Sequence, residues 1–83
     1  MSTPVVNSQA YDEIIDFFAA GTTPQTLIDF KPSEVARERV SDLIFREKNL
    51  GLTVVEKAEL DHYLLLEHML RLAKARAHQY VAA

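Results

Sequence analysis

Eighty-three residues make a single domain near the lower end of what folds alone, and the composition, 48% hydrophobic and 25% charged, is that of a globular chain. The absence of cysteine excludes disulfides, thiolate zinc sites and cysteine nucleophiles. A net charge of −3 argues against the usual basic nucleic-acid domain, and no apolar run approaches the ~18 residues of a membrane span.

The charge is graded along the chain. Residues 1–30 carry four acids (Asp12, Glu13, Asp16, Asp29) and no base, whereas residues 71–83 carry Arg71, Lys74 and Arg76 and no acid. Acids early and bases late complement helix dipoles, and the same gradient lets an acidic head meet a basic tail of another chain. Met1–Gln9 lack the basic start and apolar stretch of a signal peptide, so a cytoplasmic location is expected.

Residues 1–7 read as a flexible arm and residues 8–83 as one helical domain. Asn7 or Ser8 is placed to cap a first helix over about 8–20, where Tyr11, Ile14, Ile15 and Phe18 fall on one stripe and Gly21 supplies the stop. Thr23-Pro24 restarts the chain as a short helix over 24–29 that presents Leu27 and Ile28, and Lys31-Pro32 ends it. Ser33 caps a third helix over 34–49. Its apolar stripe is Ala36, Val40, Leu43, Ile44 and Leu50, with Val35 and Phe45 outside it.

Thr53-Val54-Val55-Glu56 is a capping box, and no glycine or proline follows it, so a fourth amphipathic helix runs over about 54–80. Leu65, Leu66, Met69, Leu70, Leu72, Ala73, Ala77 and Tyr80, with Tyr63, fill an apolar arc of about half its circumference; Glu56, Lys57, Asp61, Glu67, Arg71 and Lys74 hold the other half. No strand pattern or internal repeat occurs. The fold class expected is all-α, a small domain of four helices.

The last helix is expected to exceed its own domain. At 1.5 Å per residue it is roughly 40 Å long, whereas a compact chain of this size is about 30 Å across. With helices 1 and 3 covering its first part, the end from Ala73 to Tyr80 calls for a partner, either a second copy of the chain or another protein. Arg71, Lys74, Ala77 and Tyr80 are the partner-binding candidates there. Leu60 and Leu64, an i,i+4 pair in the polar half, form with Phe45 a second candidate patch.

Catalytic patterns are weak, and a non-enzymatic role without a cofactor is expected. Glu67 and His68 are adjacent and so point in different directions; no serine sits in a glycine elbow, and no glycine-rich phosphate loop exists. Glu59-x-x-His62 has the spacing of di-iron bundles but occurs once, so a metal site needs two chains. The basic C-terminal segment leaves a homodimeric DNA-associated regulator as an alternative.

The segments Ile14–Gly21 (IIDFFAAG), Phe30–Glu34 (FKPSE), Gly51–Glu56 (GLTVVE) and Leu66–Ala77 (LEHMLRLAKARA) resemble small helical proteins common in cyanobacteria. Genes of that family often lie beside small nuclease genes of the HNH type. The resemblance covers nearly the whole chain and implies an antitoxin-like or accessory partner of a second protein. It carries over no catalytic residue.

Overall fold

The computed structural model of the chain describes residues 9–81. The expected arm, residues 1–7, and the proposed caps Asn7 and Ser8 lie outside the described residues. The fold is all-α: α1 (Asp12–Ala19), α2 (Pro24–Asp29), α3 (Glu34–Asn49) and α4 (Val54–Val81).

Three of the four helices begin where local chemistry places a cap. Before α2, the Thr23 hydroxyl accepts from the Thr26 amide at 3.2 Å, and the Thr26 hydroxyl accepts from the Thr23 amide at 2.9 Å. Ser33 accepts from the Ala36 amide at 3.1 Å and starts α3. At α4 the Thr53 hydroxyl and the Glu56 carboxylate each accept the other residue's amide at 3.1 Å. Each arrangement satisfies amides that an isolated helix end leaves bare. Gly51, at φ +89°, turns the chain between α3 and α4.

α1 starts at Asp12, later than the expected residue 8. Before it, the Ala10 amide donates 2.8 Å to the Glu59 carboxylate of α4. Residues 9–11 form a turn closed by the Asp12 amide on the Gln9 carbonyl, and the Asp12 carboxylate accepts from the Gln9 amide.

The core gathers Ala10, Ile14, Val40, Leu43, Leu60 and Tyr63, flanked by Phe30, Ile44, Leu52 and Leu66. α1 and α3 thus cover the first half of α4. α2 packs along the second half, where Phe30 and Leu27 approach Leu70, Ala73 and Ala77. This corrects the expectation that the end of α4 is left bare. Phe17 stacks on Phe30 with ring centroids 4.3 Å apart and joins α1 to the end of α2. Leu50, expected in the α3 stripe, is exposed because it is already the cap that leads into the Gly51 turn.

Over its 28 residues α4 is about 42 Å long. The molecule measures 48 × 38 × 19 Å, so its shortest dimension is about two helices thick at the usual 8–10 Å spacing. One long side of α4 therefore forms an outer surface.

Candidate functional site

The rotation of α4 about its own axis decides what it offers to other molecules. Positions 56, 60, 63, 67, 70, 74 and 77 are all buried or half-buried. Positions 58, 62, 65, 69, 72, 76 and 79 each come two residues later, about 200° further round the helix, and all are exposed, as is position 55. Both sets advance in steps of three and four, the spacing of a coiled-coil seam. α4 thus has an inner seam packed on its own chain and an exposed outer seam, which its own chain touches at His62, against Tyr11, and at Arg76, beside the α2 groove.

This overturns part of the expected division of the helix. Leu60, placed on the polar half as a docking residue, is 1% exposed and packs in the core with Leu43. Leu65, Met69 and Leu72, placed in the same arc as Leu70 and Ala77, are 56%, 53% and 56% exposed. The reversal has an electrostatic cause. Glu59 lies in the inner region because Arg39 of α3 meets its carboxylate through Nε at 3.1 Å and Nη2 at 3.0 Å. With the Ala10 amide added, both carboxylate oxygens are satisfied. Burial alone would raise the Glu59 carboxyl, but the Arg39 and Ala10 hydrogen bonds outweigh it and hold it below its ordinary range.

The same contacts remove Glu59 from the expected metal pair, since its oxygens are occupied, while His62 packs edge-on against Tyr11 with ring centroids 5.3 Å apart. Among the described residues, no three acids or histidines converge as a metal site would require.

The other candidates separate. Phe45 is exposed, but it stands two residues from the buried Leu43 and so faces away from α4; with Leu60 buried, the expected Phe45–Leu60–Leu64 patch is not assembled, and Leu64 is left partly exposed alone. Ala77 is buried beneath α2, and Lys74 reaches across to donate to the Phe30 carbonyl, so neither is available to a partner. Both corrections follow from α2, which the sequence reading left without a place on α4. Arg71 remains exposed beside Glu67, and Tyr80 projects at the rim of a groove shared with Pro24 and Leu27. With Lys74 engaged and Arg71 and Arg76 five residues apart on different sides of the helix, the basic segment forms no single patch for a phosphate backbone.

Elsewhere α4 is fastened by ion pairs. Arg46 meets Glu56 at 2.8 Å and Lys57 meets Glu47 at 2.7 Å across α3 and α4, while Arg46–Asp42 at 3.0 Å lies within α3 and Lys57–Asp61 at 3.3 Å within α4. The Thr53 amide, then Arg46, holds the Glu56 carboxyl low, and Glu47 with Asp61 holds the Lys57 ammonium high. The two pairs between α3 and α4 accord with this rotation of the helix, and the outer seam is apolar at its centre. No helix is long and apolar enough to cross a membrane. The surface a partner could use is therefore Leu65, Met69 and Leu72 with their neighbours, and no protein-family model, curated protein or solved structure matches the chain to say which partner that is.

Proposed function

We propose that the chain is a non-enzymatic protein–protein interaction module that docks a second helix on the outer seam of α4. The observation that carries this reading is the exposure of Leu65, Met69 and Leu72 on one line of a helix whose opposite line is buried or half-buried against its own chain. Three large apolar side chains in contiguous seam positions exceed the scattered single residues normal on a soluble surface. The expected antitoxin-like or accessory role is one form of this function, with a nuclease as the second protein and the apolar seam as the contact.

Tagged wild-type protein and a Leu65→Asp/Leu72→Asp variant, recovered side by side from the native cell, test the proposal. Wild type retains a stoichiometric partner and the variant loses it. The variant keeps the wild-type melting temperature within a few degrees, since exposed substitutions of this kind change stability by about 0.5 kcal/mol. Equal recovery by both proteins removes the seam from the function.

A further inference from the structure

We infer that the occupant of the outer seam is a second copy of the chain, lying antiparallel, with the two-fold axis between Leu65 and Met69, at the level of Glu67 along the helix. The inference rests on the docking role proposed above and names the partner.

The choice of orientation follows from which residues the seam brings together. In a parallel pair each seam position meets its own copy. Arg76 then faces Arg76, His62 faces His62, and the two basic C-terminal ends lie side by side. In an antiparallel pair centred on Glu67 the positions sum to a constant, so Leu65 meets Met69, His62 meets Leu72 and Ala58 meets Arg76. The apolar centre stays continuous across the axis. Each Arg76 lands over the small Ala58 of its partner, one turn from that chain's exposed Asp61. Among the described residues Arg76, like Lys31, Arg37, Lys48 and Lys74, has no ion pair within its own chain.

The charge distribution along α4 points the same way. Glu56, Glu59 and Lys74 are engaged within the chain, so the exposed charges are Lys57 and Asp61 in the first part and Arg71 and Arg76 in the last. Parallel pairing lays Arg71 and Arg76 beside their own copies, whereas antiparallel pairing separates them and brings each Arg76 toward Asp61 of the other copy. The seam from position 55 to position 79 runs about 36 Å, with Leu65, Met69 and Leu72 at its centre. Its position on the outer side of a molecule two helices thick leaves it open to such an approach.

Two measurements decide the matter. In solution at high concentration the protein should show about twice the 9.4 kDa of one chain, falling to one chain on dilution, and Leu65→Asp/Leu72→Asp should hold it at one chain with helix content unchanged. A single-chain mass at every concentration up to millimolar overturns the inference, as does a doubled mass that survives the double variant. Orientation is then read by cross-linking, which is clean because the chain has no cysteine. Ala58→Cys and Arg76→Cys chains of different mass, mixed and oxidised, should join to each other and not to themselves. Ala58→Cys joining to itself overturns the antiparallel arrangement. The docking function fails separately. A chain that stays monomeric yet holds another protein through Leu65 and Leu72 loses this inference and keeps the function; a dimer indifferent to those leucines loses both.

Discussion

Glu59 is the residue on which the arrangement of the domain turns. A carboxylate 3% exposed is costly unless every lone pair is used, and here an arginine fork and a backbone amide use them. Replacing it with glutamine leaves Arg39 and the Ala10 amide imperfectly matched, a loss of about 2 kcal/mol in chemical denaturation at neutral pH. The pH dependence has a definite sign. Glu59 is held below its ordinary value near 4.5, so an unfolded chain takes up a proton there that the folded chain refuses. Its stabilisation is whole above about pH 5 and is lost as pH falls through the folded value. Stability measured between pH 7 and pH 3 should fall more steeply for wild type than for Glu59→Gln; parallel acid limbs would remove Glu59 as the source. None of this was visible beforehand, because Arg39 and Glu59 are separated by twenty residues and belong to different helices. A solitary glutamate inside an apparently polar face carries no mark of its partner.

The helices themselves were largely legible. α2 and α3 fall at the expected 24–29 and 34–49 because Thr23, Pro24, Ser33 and Gly51 act on adjacent backbone groups, chemistry that needs no tertiary contact. The capping box at Thr53 likewise fixed the start of α4. The rotation of α4 was not legible. Leucines fill both of its seams, and either could have been the inner one by periodicity alone; Glu59 and the α3 ion pairs chose. Truncation separates the two leucines once grouped together. Leu60→Ala should cost about 3 kcal/mol, as a buried leucine does, and Leu64→Ala under about 1 kcal/mol. Similar losses at both positions in urea titrations would contradict the observed rotation. The sequence reading places exposed Leu65, Met69 and Leu72 in the same apolar arc as the buried Leu70 and Ala77. The three- and four-residue spacing of Leu65, Met69 and Leu72, continued through Ala58 and Val55, was the available signal that they form a line.

For the whole molecule, the radius of gyration of 14.7 Å exceeds the ~12 Å of a compact chain this long, because α4 sets the length and only thin layers lie on it. Support along α4 is uneven. Its first half carries the buried cluster and the α3 ion pairs; its second half is held by α2, six residues long and without a fully buried side chain of its own. Hydrogen exchange should therefore show amides of residues 71–81 opening well before those of 57–66, with Phe30→Ala widening the gap by loosening α2. Uniform protection along α4 would mean that the six-residue helix holds more than its contacts indicate.

The hydrogen bond from Ala10 to Glu59 spans 49 residues, and it has a consequence for how the chain comes to be folded. Ile14, Val40 and Leu43 lie before the Gly51 turn, yet the side chains that close over them, Leu60 and Tyr63, come after it. During synthesis from the N-terminus, the chain through Tyr63 must leave the ribosome before this core can close. Until then the emerging segment has apolar residues with nothing to cover them. α4 is thus the first requirement for order in the three helices made before it.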